Sequence, residues 1–232
     1  MANTEYKSKG VILWDMDGTL ISPIRESNES PHLNAVKKNG FNPQGKNPGL
    51  IGSTDFEVIS SLLSFYPGNE SENVFEKCFK DLNDISLSLY QSNSFSLCQG
   101  LPKALIKTKE IGWDNGILTG NTNTRMFKKL EILKIANYFN KEFMFSCNIN
   151  DTRENITERA KKTLKSAGYS NSFIVGDTPR DISVAKKYDL KVVAVSTGIF
   201  PLKELEKFAP NLLIRNLEDD LEIFLNFTIG LS

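Results

Sequence analysis

Histidine is scarce in this chain, since His32 is the only one among 232 residues. A single histidine excludes every site that needs two, including most zinc hydrolases, and makes any Ser-His-Asp triad depend on His32. Cysteine is scarce as well. The three cysteines, Cys78, Cys98 and Cys147, are far apart in the chain and have no histidine nearby. We therefore predict neither a disulfide framework nor a zinc site, and we expect free thiols that pack as small apolar side chains.

Net charge and long apolar runs are also missing. The 28 basic side chains balance the 28 acidic ones, so no global positive field would attract nucleic acid or an anionic membrane. Apolar runs such as 11–14 and 192–195 are far shorter than the roughly 20 residues that span a bilayer. Residues 1–10 lack the apolar stretch of a signal peptide. We expect a cytoplasmic protein, a monomer or homodimer, whose partner is a small molecule.

Short apolar runs alternate with longer amphipathic segments. Buried parallel strands are predicted at the apolar runs 11–14, 116–119, 143–145, 173–175 and 192–195, with a sixth at 212–214. Helical spacing of apolar residues is found between them, at 126–137 after a cap at Asn121, Thr122 or Thr124, and at 153–167. This alternation predicts the α/β class, with a Rossmann-like parallel-sheet core.

The segment 21–97 has a different character. It has no strongly β-rich run, its apolar residues have helical spacing at 56–65 and 74–89, and proline and glycine interrupt its first half. We predict an inserted small helical domain at 21–97, which divides the core into residues 1–20 and 98–232.

Two carboxylates end the first predicted strand. Asp15 and Asp17, followed by Gly18 and Thr19, stand at the carboxyl end of a parallel strand, where open α/β sheets bind ligands. Residues two apart on a strand point the same way, although a turn at Gly18 can re-aim Asp17. A calcium loop does not fit, because the glycine comes too early and a strand leads in where a helix is needed.

Two further groups of polar residues follow predicted strands. Asp177 lies in the loop after the strand at 173–175, and Asp181 lies one turn into the next helix, where stabilisation of the helix dipole is its alternative role. The hydroxyl of Thr119 and the backbone N–H groups of Gly120 and Asn121 can hold phosphate oxygens, although threonine and asparagine are also ordinary helix caps.

These elements, in this order and each at the end of a strand, resemble the motifs of the haloacid dehalogenase superfamily of phosphotransferases. The chain is similar to its phosphoglycolate phosphatase-like members, with 21–97 in the place of their helical cap. The resemblance covers residues 11–20 and roughly 100–198, and its motifs match at Asp15, Asp17, Gly18 and Thr19 (first), Thr119 (second), and Gly176, Asp177 and Asp181 (fourth).

The resemblance implies a phosphatase that hydrolyses a small phosphorylated metabolite, either phosphoglycolate-like or a sugar phosphate. Asp15 would attack phosphorus and form an aspartyl-phosphate. Asp17 would protonate the leaving oxygen and then deprotonate the attacking water. The implied cofactor is Mg²⁺. Its implied ligands are the carboxylates of Asp15 and Asp177 and the backbone carbonyl of Asp17, and Asp181 would either bind the ion directly or contact one of its ligands. The implied phosphate-binding residues are Gly18, Thr119, Gly120, Asn121 and Arg153.

The third motif of the family is a lysine or arginine that neutralises the nucleophile and the phosphate. No Lys-Pro pair stands before the helix that precedes the strand at 173–175, so the chain departs from the commonest form. Arg153, near the start of that helix, is the first candidate. Lys161 and Lys162 are the alternatives, although at 1.5 Å per residue they lie about 12 Å or more further along the helix axis. His32 is either an acid–base group carried by the insert, as in related sugar-phosphate mutases, or a residue without a chemical task.

Other functions stay open. A phosphomutase would keep the same nucleophile but would need the insert to exclude water and return the phosphoryl group. A catalytically silent phosphate-binding module would have lost Asp15 or Asp177, and both are present. A dehalogenase fits less well, because carbon–halogen displacement does not use the acid–base carboxylate that Asp17 supplies.

Overall fold

The computed structural model describes residues 9–22, 30–43, 51–68, 71–91 and 93–231. The strands in these ranges are β1 (Gly10–Trp14), β2 (Trp113–Thr122), β3 (Met144–Cys147), β4 (Ser172–Gly176), β5 (Lys191–Val195) and β6 (Leu212–Ile214). They form one parallel six-stranded sheet in the order β3-β2-β1-β4-β5-β6. The predicted α/β class is confirmed, and each predicted strand overlaps an observed one. The largest difference is β2, which extends beyond the apolar run 116–119 at both ends.

The helices of the described residues are α1 (Pro31–Lys38), α2 (Asp55–Leu63), α3 (Glu72–Leu89), α4 (Lys103–Glu110), α5 (Asn123–Leu133), α6 (Arg153–Ser166), α7 (Pro179–Lys187), α8 (Leu202–Glu206) and α9 (Leu221–Ile229), with 3-10 turns at Ala136–Tyr138 and Lys141–Phe143. Thr122 caps α5, because its side chain accepts a hydrogen bond from the Arg125 N–H. The helix ends before the predicted residue 137, since Lys134 adopts a left-handed conformation that stops it. Helices α2, α3 and α6 confirm the helical spacing at 56–65, 74–89 and 153–167.

Alternation along β1 divides the core between the two faces of the sheet. Val11 and Leu13 belong to one hydrophobic cluster, and Ile12 and Trp14 belong to the other. Apolar residues of α6, α7 and α1–α3 complete the first cluster, whereas those of α4, α5 and α9 complete the second. The helices between β1 and α4 thus share a continuous apolar cluster with one face of the sheet.

The chain leaves the sheet after β1 and returns before α4 through two neighbouring segments. Ile21 forms an antiparallel bridge with Leu97, and the Cys98 N–H donates a hydrogen bond to the Leu20 carbonyl at 3.1 Å. Between these crossings, α1 packs against α3. The outgoing and returning segments are therefore held side by side at the edge of the sheet.

The thiols of Cys78, Cys98 and Cys147 are free and buried, as predicted. In the described ranges, every helix is too short or too polar to cross a membrane. Residues 1–8, which make up most of the segment without a signal-peptide pattern, lie outside the described residues.

Candidate active site

The carboxyl ends of β1, β2 and β4 meet at one edge of the sheet, because β1 lies between β2 and β4. The Asp15 N–H extends this pairing by donating to the Val175 carbonyl at 2.9 Å. Residues at or directly after these strand ends line one cavity of about 760 Å³, among them Asp15 after β1, Thr119 near the end of β2, and Asp177 after β4. The structure thus brings together the three groups of polar residues that the sequence placed at strand ends.

Three carboxylates form the acidic side of the cavity. Oxygen atoms of Asp15, Asp177 and Asp181 lie within 4.8 Å of one another. Burial raises the pKa of Asp15 to about 7. The charge of Arg153 opposes this shift, whereas the nearby carboxylates of Asp181 and Asp17 add to it. Burial, followed by the charges of Asp15 and Asp181, raises the pKa of Asp177 well above its ordinary value. A divalent cation would relieve this repulsion, and an oxygen-only donor set suits Mg²⁺, so these residues fit the implied cofactor.

Two glycines let the backbone approach the Asp177 carboxylate. Gly18 has a φ of +91°, and a Cβ atom there would lie 2.2 Å from Asp177 Oδ2. A Cβ atom at Gly198 would lie 1.7 Å from the same oxygen. Both positions therefore require glycine, and Thr19 Oγ1 further holds the carboxylate by donating to Asp177 Oδ1 at 3.1 Å. Gly198 belongs to none of the motifs read from the sequence.

Asp181 has protein donors on both of its oxygens. At the N-terminus of α7 it forms a capping box with Thr178, whose N–H and Oγ1 donate to Asp181 Oδ2 at 3.1 and 2.7 Å. Arg153 Nη2 donates to Asp181 Oδ1. Asp181 therefore combines a helix-capping role with a contact to the acidic cluster, and the two readings of the sequence are not exclusive.

Arg153 lies beside Asp15, with only 2% of its side chain exposed. Its Nη2 donates to Asp15 Oδ1 at 2.9 Å as well as to Asp181. Burial would lower the pKa of Arg153, but Asp181 and Asp15 outweigh burial and raise the pKa, so the guanidinium stays charged. Its Nε has no hydrogen-bond partner among the described residues. A buried donor without a partner beside a carboxylate is suited to an incoming anionic oxygen.

The two alternative lysines lie elsewhere. Lys161 Nζ donates to the Tyr188 carbonyl, and Lys162 pairs with Glu158 on the exposed side of α6. Neither lysine lines the cavity. Arg153 is the first residue of α6, and the first turn of this helix is the part near the carboxyl ends of the strands. Lys161 and Lys162 lie about two turns further along the helix.

Asp17 stands apart from the three-carboxylate cluster. Lys129 Nζ lies 2.6 and 2.7 Å from its two carboxylate oxygens, and Asn121 Nδ2 donates to Asp17 Oδ2 at 2.7 Å. Desolvation inside the cavity would raise the pKa of Asp17, but the Lys129 charge and the Asn121 hydrogen bond outweigh it and lower the pKa. The carboxylate of Asp17 is thus held by these two residues, while a metal contact through its backbone carbonyl stays a prediction.

The Thr119 side chain lines the cavity near the end of β2. Its Oγ1 accepts hydrogen bonds from the Asn121 N–H at 3.2 Å and from Asn121 Nδ2 at 2.8 Å, so the hydroxyl hydrogen is left to donate. At Gly120, a Cβ atom would lie 2.6 Å from the Ser53 carbonyl oxygen. Gly120 therefore allows the inserted segment to approach the end of β2.

Three charged residues of the cavity wall, Lys129, Arg125 and Asp55, belong to none of the motifs predicted from the sequence. Arg125 and Lys129 are buried on α5 together with Met126 and Leu130, so two charged residues lie in its apolar stripe. A charged residue in register with an apolar stripe is the signal that could have found them. Asp55 lies at the start of α2 and could not be paired with α5 from the sequence.

Asp55 joins the inserted helices to α5. Arg125 Nη1 donates to Asp55 Oδ1, the Thr122 N–H donates to Asp55 Oδ2 at 2.6 Å, and His32 Nε2 lies 2.8 Å from Asp55 Oδ1. His32 therefore lines the cavity with its ring directed at a carboxylate. Burial would raise the pKa of Asp55, but Arg125 and His32 outweigh burial and lower the pKa.

We expect Asp55→Asn to lower the free energy of unfolding by about 3 kcal/mol at pH 7, because it leaves the Arg125 guanidinium buried without its anion. The stability given by a depressed carboxyl pKa is present above the unfolded value near 4 and is lost below it, so the difference from wild type should shrink under acid. Asp84→Asn removes an exposed ion pair with Lys80 and should change stability by under about 0.5 kcal/mol. Urea unfolding at pH 7 and at acid pH measures these effects. An equal loss in the free energy of unfolding for Asp55→Asn and Asp84→Asn would contradict the prediction.

The chain is similar to known proteins in both sequence and fold. The family model described as haloacid dehalogenase-like hydrolase matches residues 12–195. The protein named "Putative pyrophosphatase PpaX" from Caldanaerobacter subterraneus subsp. tengcongensis is 22% identical over 222 residues, which cover 91% of this chain and 93% of that protein.

Solved structures share the architecture. The structure described as "Putative beta-phosphoglucomutase from Bacteroides vulgatus" has a TM-score of 0.69 at 16% identity and covers 98% of this chain and 92% of its own. A "predicted phosphoglycolate phosphatase from haemophilus somnus" has a TM-score of 0.67 at 17% identity, with 94% and 98% covered. At these identities the likeness shows the fold alone.

Proposed function

Because the chain belongs to the haloacid dehalogenase-like hydrolase family, we propose that it is a phosphatase that uses Mg²⁺ to hydrolyse a small phosphorylated metabolite. One observation carries the proposal. Asp15 lines the cavity beside the buried Arg153, whose Nε has no partner among the described residues. A carboxylate nucleophile next to an unsatisfied cationic donor suits the attack on a phosphoryl group.

The reaction would have two half-reactions at Asp15. In the first, Asp15 Oδ2 forms a bond to phosphorus while the bond from phosphorus to the leaving oxygen breaks, and Asp17 gives that oxygen a proton. In the second, Asp17 takes a proton from water, the water oxygen bonds to phosphorus, and phosphate leaves Asp15. We assign the attack to Oδ2 because Oδ1 accepts the Arg153 hydrogen bond.

Two residues would orient the phosphoryl group. The Thr119 hydroxyl has a hydrogen left to donate, and Arg153 Nε can bind a second oxygen while Nη2 stays on Asp15. Gly18, Gly120 and Asn121 stay predictions as phosphate ligands. The Asn121 side-chain amide already donates to Asp17 and Thr119, and its backbone N–H donates to Thr119 Oγ1, so Asn121 would have to exchange one of these contacts to bind a phosphate oxygen.

The Mg²⁺ site that we propose uses the carboxylates of Asp15 and Asp177 and the backbone carbonyl of Asp17. Asp181 adjoins these ligands, with one oxygen on Arg153 and the other on Thr178. The bound ion supplies positive charge that lets an anionic nucleophile approach an anionic substrate. The three-carboxylate cluster and the raised pKa values of Asp15 and Asp177 support this assignment.

We expect Mg²⁺ to raise the melting temperature strongly at pH 8 and little at pH 5. A raised carboxyl pKa means that the folded state holds more protons than the unfolded one, so the metal-free protein loses stability as pH rises from about 4 to about 7. The ion binds the deprotonated carboxylates and restores that stability. Thermal melts with and without Mg²⁺ measure the effect. The same shift at both pH values, or a full shift in Asp177→Asn, would contradict the assignment.

We further propose that residues 21–97 form a helical cap over a catalytic core made of 1–20 and 98–232. The paired crossings at Ile21 and Leu97 support this division, as do His32 and Asp55, which line the cavity opposite Asp15. A cytoplasmic location and a monomeric or homodimeric state stay predictions.

The test is a screen of the purified protein with Mg²⁺ against phosphoglycolate, sugar phosphates and pyrophosphate, measuring released phosphate. The Asp15→Asn protein, purified in the same way, controls for contaminating phosphatases. We expect release from at least one substrate class, with none in the variant. Isomer formation without phosphate release would instead indicate a phosphomutase, and no turnover by a folded protein would favour a silent binding module.

A further inference from the structure

Lys129 is a buried lysine of the cavity wall, with 3% of its surface exposed. All three of its N–H groups point at two polar side chains. Nζ donates to Asp17 Oδ1 at 2.6 Å, to Asp17 Oδ2 at 2.7 Å and to Asn121 Oδ1 at 3.0 Å. An ammonium group has three donors and no acceptor, so Asp17 and Asn121 engage at least two of its donors.

Two aromatic rings of the inserted segment cover the other side of the ammonium. Nζ lies 5.9 Å from the centroid of the Tyr90 ring and 5.7 Å from that of the Phe95 ring, within the range of a cation–π interaction. The two rings pack edge to face at 4.8 Å, and Tyr90 OH accepts a hydrogen bond from Arg125 Nε. The ammonium is therefore held between Asp17 on one side and the inserted segment on the other.

We propose that Lys129 is a positioning residue that holds the Asp17 carboxylate in the orientation needed for proton transfer. Asp17 follows β1 in the turn at Gly18, and its side chain is 52% exposed, so little packing restrains it. Contacts with both carboxylate oxygens restrain its rotation in a way that a single hydrogen bond would not. The polar contacts of Lys129 are with Asp17 and Asn121, so its role is that of a positioning residue and not of a catalytic one.

This inference rests on the proposed function, since it requires Asp17 to transfer protons. In the first half-reaction the proton moves from Asp17 to the leaving oxygen, and in the second it moves from water to Asp17. Lys129 gains and loses no proton in either step. It acts only through the position of Asp17, which the contacts of Tyr90 and Phe95 make dependent on the inserted segment.

Lys129→Met tests the inference, with Lys128→Met as the matched control. Methionine keeps an unbranched side chain against Tyr90 and Phe95 but removes the charge. Because Asp17 is half exposed, losing its partner leaves no buried charge, and we expect the variant to fold. Lys128 neighbours Lys129 on α5 but pairs with the exposed Glu131, so its replacement should leave kinetics unchanged.

The readout is kcat/KM for two esters that differ in their need for a proton, glycerol phosphate and p-nitrophenyl phosphate. This quantity reports only the steps through departure of the leaving group. We expect Lys129→Met to lower it by about 10²-fold for the alkyl ester, and by far less for the aryl ester, whose leaving group needs no proton. Equal losses for both esters, or no loss for either, would overturn the positioning role.

Crystal structures of the wild type and of Lys129→Met give a readout that does not depend on activity. We expect the Asp17 side chain to leave Asn121 or to become disordered in the variant, whereas an unmoved Asp17 would overturn the inference. A wild-type protein that hydrolyses no ester at all would refute the proposed function. The position of Asp17 in the two crystals would still decide what Lys129 does.

Discussion

Replacing Asp15 with asparagine is expected to abolish phosphate release and to leave the fold intact. The amide has the shape of the carboxylate, but it is a poor nucleophile and a poor Mg²⁺ ligand. We expect turnover to fall by at least about 10³-fold, as for other covalent nucleophiles. Phosphate release in the presence of Mg²⁺ measures the effect, and Asp84→Asn, on the exposed face of α3, is the matched control. Retention of about a tenth of wild-type activity would remove Asp15 from the nucleophile's role.

Stability separates this loss from misfolding. Because burial raises the pKa of Asp15 to about 7, its negative charge opposes folding above that pH. Asparagine removes that charge, and Arg153 keeps Asp181 as its anionic partner. Metal-free Asp15→Asn should therefore melt at or above the wild-type temperature at pH 8. A large drop in melting temperature would mean that the lost activity reports unfolding.

Replacing Arg153 with alanine should lower turnover by about 10²- to 10³-fold, since a preorganised donor of this kind is worth about 3 to 4 kcal/mol in the transition state. Arg153→Lys should recover part of the loss, because lysine keeps the charge but not the planar fork of donors. Lys161→Ala and Lys162→Ala are the controls and should stay near wild type, because neither side chain lines the cavity. Steady-state kinetics of the four variants measure the effect.

Arg153→Ala also removes the cation that faces two buried carboxylates, so it should destabilise the fold by about 3 kcal/mol or more. The kinetic comparison therefore uses the folded fraction, measured by circular dichroism, and the better folded Arg153→Lys. Wild-type activity in Arg153→Ala, together with lost activity in Lys161→Ala or Lys162→Ala, would contradict the assignment. The third-motif role would then belong to a lysine further along α6.

The sequence predicted the polar side of the cavity better than the opposite wall. Asp15 and Asp177 follow strands and Thr119 lies near the end of one, and strand ends in a parallel sheet meet at one edge, so their meeting could be derived from local patterns. The pairing of Asp55 with Arg125 could not be derived, because Asp55 begins a helix of the insert and Arg125 lies on α5. Their meeting depends on how the inserted helices dock against the sheet, which no local pattern encodes.

Local periodicity and turn residues let the sequence by itself determine the α/β class, the positions of the strands and the acidic residues at their ends. These properties depend on neighbours within a few residues, so they can be read along the chain. Only the tertiary structure decided that Arg153 rather than Lys161 or Lys162 contacts Asp15, and that Lys129 holds Asp17. These contacts join residues 138 and 112 positions apart, and each depends on the rotation of a helix about its own axis. Packing against the sheet sets that rotation. Once the apolar stripe of a helix is buried, the directions of its charged side chains are fixed.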